Sequence, residues 1–300
     1  MHAPIIIFTY NRINHLKKLL YSLKKNPESK NSKVYIFIDG PKNRNNRIKT
    51  DKIFNYLSNI NFFGSKKIFY RKNNLGSARS ILDGINYVSR REKNFIVLEE
   101  DLILSNEFLF FCNKTLKLYK NEKKIWHINC WIFKNLESKD KFFFSTHMSC
   151  WGWATWSDRW KKLKKIKTNE TYFDVKKNFK KNFDYLNIGS YLSLLLNYKG
   201  KIKTWAVYWY YTIFKNKGLT ITPFKTLVIN TGFGLKSTNT KINYYRESSI
   251  KKHTINFELK FKKPLLDSQI LNKISKSYLK RNFKLIFLIK IKELISKIIY

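Results

Sequence analysis

The sequence predicts an α/β fold: a mostly parallel sheet flanked by helices, with a basic helical tail. Two observations carry this prediction. Over the first hundred residues, short near-continuous apolar runs alternate with segments of helical periodicity, the pattern of strands buried on both faces by intervening helices. A hydrophobic content of 43%, with 17% aromatic, gives 300 residues ample material for a packed core.

The elements follow in order. The run "PIIIFTY" is a buried strand, after which Leu16, Leu19, Leu20 and Leu23 recur at i, i+3, i+4 and i+7 as one face of a helix. "VYIFIDG" is a second strand closed by an Asp-Gly turn, and "KIFYR" is a third. Ala78, Ile81, Leu82 and Ile85 mark the next helix, with Ser77 placed to cap it. "FIVLEED" is the fourth strand, and residues 1–104 read as a nucleotide-binding α/β unit. From residue 105 the character changes: an apolar helix over 107–119, the strand-like "IWHINCWIF", the aromatic block "FFFSTHMSCWGWATWSDRWKKL", a basic helical stretch, and a second aromatic block ending in turns on Gly232 and Gly234. Residues 105–245 read as a substrate-binding half, and 246–300 as a basic extension whose last thirty residues form a surface helix.

The formal charge is +40. Such a charge suits nucleic acid, anionic membrane or polyanionic substrates. Lys, Asn and Ile are abundant throughout, however, as compositional drift at neutral surface positions would produce, and no nucleic-acid recognition motif appears. Nucleic acid is therefore not an expected partner. Three cysteines without a C-x-x-C pair encode neither a disulfide framework nor a zinc site, and suit a reducing compartment. The N-terminal apolar run reads as a strand rather than a signal peptide, and no apolar run approaches the roughly 20 residues needed to span a bilayer. A cytoplasmic protein is expected.

In a parallel sheet, ligands gather outside the carboxyl ends of the strands. There the fourth strand presents Glu99, Glu100 and Asp101 in succession. Like charges that close repel, and a divalent cation, Mg²⁺ or Mn²⁺, shared with the oxygens of a diphosphate would offset them. An acidic turn pairing with surface lysines would use the same residues. Strand one ends in Thr9 and leads to Arg12, where a guanidinium can meet phosphate; a surface arginine at a helix start is the plainer reading. Asp39 ends strand two, suited to a ribose or base, or simply to the turn. Arg71, Asn74 and Gly76 follow strand three, where a glycine turn lets backbone approach a ligand at a helix N-terminus.

With "IIIFTYNRINHLKKLLYSL", "VLEED", "CWGWATW" before "DRW", and "GLTITPFKTLVINTGFG", the chain resembles GT-A-fold glycosyltransferases over residues 3–240. The likeness is to bacterial family 2-like surface-polysaccharide enzymes and, more distantly, to N-acetylglucosaminyltransferase I. It implies a nucleotide-sugar donor, commonly a UDP-sugar, a divalent metal on Asp101 with Glu99 and Glu100 nearby, and inverting transfer of a hexosyl or N-acetylhexosaminyl group to an acceptor hydroxyl. It also implies that Arg12, Asp39 and Arg71 surround the nucleotide.

Two departures matter. Glu100 replaces the middle Asp of the acidic motif, and Ala206 in "TWAVYW" stands where many relatives hold an acid able to act as catalytic base. Asp158, after the aromatic block, is the substitute base expected here; it is equally suited to pair with Arg159 or cap a helix. His147 is a third candidate, though a lone histidine beside aromatics is more often packed than catalytic. Of Trp151, Trp153 and Trp156, two are expected in the core and one on a sugar-stacking wall. The expected protein is a metal-dependent transferase acting on a glycan or lipid-linked acceptor, with its tail on the anionic inner face of the plasma membrane. Alternatives are a transferase-like protein that binds without catalysis and, less favoured, a nucleic-acid-binding protein.

Overall fold

The computed structural model describes residues 2–132, 135–163, 177–233 and 258–281, with 287 and 291. Strands β1 (Ile5–Thr9), β2 (Lys33–Ile38), β3 (Ser65–Tyr70) and β4 (Asn94–Glu99) form the parallel block. Strands β5 (Leu102–Leu104), β6 (Ile125–Asn129), β7 (Phe142–Ser145), β8 (Trp153–Trp156), β9 (Leu219–Pro223) and β10 (Val228–Asn230) follow. The helices are α1 (Ile13–Lys24), α2 (Arg44–Ser58), α3 (Ser77–Ser89), α4 (Phe108–Leu118), α5 (Ser157–Trp160), α6 (Lys177–Phe183), α7 (Ser190–Tyr198), α8 (Ala206–Lys215) and α9 (Ser268–Arg281).

The main sheet has the order β3-β2-β1-β4-β8-β6-β9-β7, parallel at four interfaces and antiparallel where β8 meets β4 and β6 and where β7 meets β9. This is the mostly parallel, helix-flanked sheet that the sequence predicts. β5 and β10 make a separate antiparallel pair.

Alternation along the strands divides the apolar residues between two layers. Ile5, Ile7, Val34, Ile36, Ile96 and Leu98 pack against α1, α2 and α4. Ile6, Phe8, Tyr35, Phe37, Phe95 and Val97 pack against α3, and Trp153, Trp160 and Trp209 extend that layer. The leucine face expected on α1 is the buried one: Leu16, Leu19, Leu20 and Leu23.

Helix α2 has no counterpart in the sequence reading. Only Thr50, Ile53 and Leu57 are buried along its fifteen residues, too sparse a stripe to announce itself. A second difference lies at the start of α3. Gly76, not Ser77, is the N-cap, with φ +75° and ψ 158°, a conformation in which a side chain is strained.

The tail also differs from a purely appended helix. Leu259, Leu271 and Ile274 belong to the main core, and Leu266 bridges to Phe144 at the β7 edge. Residues 246–257 and most of 282–300 lie outside the described residues, as does Gly234. Among the described residues, no helix is long and apolar enough to cross a membrane.

Candidate functional site

Strand order places the site. From β1 the chain runs outward through β2 and β3, then returns to lay β4 on the other side of β1. The adjacent carboxyl ends of β1 and β4 therefore mark a topological switch point, where open α/β sheets bind ligands. Phe8 stands opposite Glu99 in the register, so the residues after β1 and after β4 emerge side by side.

They are tied together there. Glu100 is buried and accepts from the Thr9 hydroxyl at 2.5 Å, the Tyr10 amide at 2.8 Å and Arg12 Nε at 2.7 Å. Arg12 Nη2 donates to Asp101 Oδ2 at 2.8 Å. One guanidinium thus spans two of the three carboxylates. Burial opposes the charge on Arg12, but Glu100 and Asp101 together hold its pKa above the ordinary value. Glu99 is half-buried; burial first, then the neighbouring Asp101, push its carboxyl up to about 8. Cys150 lies within reach of the same field, its thiol pushed up to about 12 by burial and by Glu99.

The segment after β10 closes the cluster from the other side. Thr231 donates through its amide (2.8 Å) and its hydroxyl (2.9 Å) to the Asp101 carbonyl, and His15 Nε2 lies 3.3 Å from the Thr231 carbonyl. A Cβ at position 232 would stand 2.0 Å from Asp101 Oδ2, so any larger residue there would push the Asp101 carboxylate from its place. Beyond it, Phe233 meets the edge of Trp151 at 5.5 Å, and Trp151 meets Trp131 at 4.6 Å. Of the three tryptophans considered in the sequence, Trp153 and Trp156 are core, and Trp151, half-buried, borders the carboxylates' segment. Residues 147–151 hang from β6. Asn129 bonds the His147 carbonyl (2.9 Å) and the Ser149 amide (2.8 Å), while His127 Nε2 donates to the Ser149 carbonyl (3.0 Å) and its Nδ1 accepts from Trp209 (3.1 Å).

A second cluster forms at the ends of β2 and β3. The buried Asp39 accepts from the amides of Gly40, Leu75 and Gly76, each at 3.0 Å, and from Asn74 Nδ2 at 3.1 Å. Its carboxylate thereby shapes the loop before α3. Arg71 Nη2 donates to the Ser80 carbonyl at 3.1 Å, its guanidinium lies over the Phe37 ring, and its Nη1 is buried with no hydrogen-bond partner. Burial lowers its pKa, against the pull of Asp39. Thr9, Arg12, Glu99, Glu100 and Asp101 form one cluster and Asp39, Arg71, Asn74 and Gly76 the other, along one edge of the sheet.

Asp158 is not brought to that edge. β8 runs antiparallel to β4 with Asn94 opposite Trp156, so Asp158 follows β8 at the amino end of β4, about 17 Å along the strand from Glu99 at roughly 3.3 Å per residue. There it pairs with Lys123 (2.9 Å) and Arg159 (2.8 Å), and despite the opposing cost of burial these partners hold its carboxyl below the ordinary range. Antiparallel β8 thus sets Asp158, the base expected from the sequence, at the opposite end of β4 from Glu99, in the pairing with Arg159 that the sequence equally allowed. His147 packs against Trp131 and bonds the Asn187 amide at 2.6 Å, and burial lowers its pKa.

The cation expected at Asp101 would find two carboxylates not wholly committed, Asp101, one of whose oxygens Arg12 holds, and the half-buried Glu99. Glu100 is committed to Thr9, Tyr10 and Arg12, and among the described residues no three His, Cys, Asp or Glu side chains converge as a metal cage. That fits a hard cation held by one or two carboxylates and completed by a diphosphate and water, the usual manner for Mg²⁺.

No protein-family model and no curated protein matches this chain. Among solved structures, S. aureus TarS residues 1–349 in complex with UDP-GlcNAc is similar over 43% of this chain and 33% of that one, at 18% identity and TM-score 0.31. The UDP complex of the same fragment gives 43% and 34%, 18% identity and TM-score 0.30. S. aureus TarS itself gives 43% and 21%, 16% identity and TM-score 0.31. The likeness spans about a third of the TarS fragment's length.

Proposed function

We propose that this protein is a glycosyltransferase that moves a sugar, with inversion, from a nucleotide-diphosphate sugar, a UDP-sugar foremost, to a hydroxyl of a glycan or lipid-linked acceptor in bacterial surface-polysaccharide synthesis. The observation that carries the reading is the grip of Arg12 on Glu100 and Asp101 at the β1/β4 switch point. A switch-point crevice with an arginine, a half-buried carboxylate and glycine-lined backbone suits a diphosphate.

In this reading Asp101 is the residue that would hold Mn²⁺ or Mg²⁺. Such an ion, when bound, neutralises charge developing on the departing diphosphate. Glu100 fixes the loop after β1, Arg12 orients Asp101 and faces the phosphates, and Gly232 leaves Asp101 room. Asp39 and Asn74 set the loop at the N-terminus of α3, where amides meet the nucleotide. The Trp151 and Phe233 rings supply apolar faces for a pyranose. The enzyme works at the inner face of the plasma membrane.

One observation favours a second reading, donor binding without transfer: Ala206 begins α8 and Asp158 lies at the far edge, so neither position supplies a base. Thermal shift with a panel of nucleotide sugars, with and without Mn²⁺, tests the reading on wild type and Asp101→Ala. Ligand at 100 times Kd should add about 2.7 kcal/mol of stability. The metal-dependent part should vanish in Asp101→Ala. The absence of any metal-dependent nucleotide effect in wild type would reject the proposal, and binding without sugar release or transfer would select the second reading.

A further inference from the structure

Apolar side chains exposed to water are not spread evenly over this protein. Among the described residues, nine large hydrophobics are exposed, and five of them fall between 261 and 291: Phe261, Leu265, Leu266, Phe287 and Ile291. The other four are Tyr21 on α1, Ile48 and Phe54 on α2, and Tyr185 just after α6. Leu265 is 64% and Phe261 54% exposed.

This exposure is held in place by the core beneath. Phe261 stacks on the buried Tyr119 at 5.1 Å, and the Tyr119 hydroxyl bonds the Lys262 amide (2.9 Å) and carbonyl (3.1 Å). Leu259 on one side and Leu271 and Ile274 of α9 on the other are buried in the main core. The segment 260–266 is therefore fastened along the surface, at Lys262 by Tyr119, at the buried Pro264 and at the Leu266 bridge to Phe144, with Phe261, Leu265 and Leu266 outward. Lys260, Lys263, Lys273 and Lys276 are exposed around them, against Glu258 and Asp267. From residue 258 onward the sequence has eleven basic and three acidic residues.

We infer that the 260–266 ridge and the exposed face of α9 dock on an anionic bilayer surface. Apolar tips enter the headgroup boundary while lysines meet lipid charge, the two terms by which interfacial segments bind. Charge complementarity selects this occupant. A second copy would set lysines against lysines, whereas an anionic leaflet satisfies apolar and basic groups together. The inference rests on the membrane-side part of the reading above and is independent of the donor chemistry at Asp101.

The test uses the full chain and vesicles of phosphatidylcholine with 30% phosphatidylglycerol or none, comparing wild type with Leu265→Ser and Lys263→Ser, alone and combined. Truncation before α9 is unsuitable because it would remove Leu271 and Ile274 from the core. The substituted side chains are exposed, so melting temperatures and any nucleotide-induced shifts should match wild type. Wild type should bind the anionic vesicles and lose binding in 0.5 M salt. Leu265→Ser should weaken binding about tenfold and Lys263→Ser about fivefold. Binding by the double variant equal to wild type would overturn the assignment and transfer it to residues 282–300. So would equal binding to neutral vesicles, no vesicle binding by wild type, or self-association abolished by Leu265→Ser. A failed vesicle result beside an intact nucleotide shift would leave the donor reading standing.

Discussion

Replacing Arg12 by Met keeps most of the aliphatic stem and removes the only cation bonded to Glu100 and Asp101 among the described residues. Side-chain exposures of 24% for Arg12, 6% for Glu100 and 15% for Asp101 put these pairs nearer the buried than the surface regime. Breaking a buried pair costs about 3–5 kcal/mol, and losing an exposed one less than about 1 kcal/mol. The expected loss is about 2–4 kcal/mol, since two carboxylates lose their partner beside a third. For a chain of this size that lowers Tm by about 5–15 °C. The assay is urea and thermal unfolding at neutral pH, with and without millimolar Mn²⁺. The ion should narrow the gap between variant and wild type, because it supplies the missing positive charge at Asp101. A loss below about 1 kcal/mol, or a gap that Mn²⁺ widens, would refute the account of Arg12 as the charge that holds this cluster together.

Three further outcomes are expected. Gly232→Ala puts a methyl 2.0 Å from Asp101 Oδ2; forced displacement should cost about 1–3 kcal/mol and abolish any Mn²⁺-dependent donor shift, measured by calorimetry. Asp158→Asn should leave donor binding and transfer unchanged, since it lies far from Asp101, and cost about 1–3 kcal/mol, because its own side chain is 51% exposed while the Arg159 it neutralises is only 5% exposed; loss of transfer with binding intact would establish it as base. Burial lowers His127 to about 3 from 6.5, so its contribution is complete above pH 6.5 and is lost as pH falls toward 3. Urea unfolding at pH 5 should show about 2 kcal/mol less stability than at pH 7 from this residue alone, at 1.36 kcal/mol per pKa unit, and His127→Asn should flatten that slope.

The parallel block was readable because each strand is a local signal. "PIIIFTY", "VYIFIDG" and "FIVLEED" are apolar on both faces, and the α1 leucines repeat at the helical period. The position of Glu99, Glu100 and Asp101 at a strand end followed from the same pattern. Helix α2 escaped because its buried stripe is thin. The end of the sheet that Asp158 occupies was not readable because the strand before it, "WATW", does not state its direction: antiparallel pairing with β4 is a long-range choice.

The α/β class, the apolar strands and the acidic cluster at a strand end are encoded locally, since burial pattern and turn residues are written in neighbouring positions. Which partners the cluster meets depends on long-range packing. Arg12 lies 88 residues before Glu100, and Gly232 lies 131 residues after Asp101; both arrive through sheet order and the β5/β10 pairing. Tertiary packing likewise decided that Trp153 is core while Trp151 borders the site, and that Leu271 and Ile274 of the basic tail are buried while Leu265 is exposed. Periodicity ranks which faces are apolar; what covers each face is fixed only when distant segments pack.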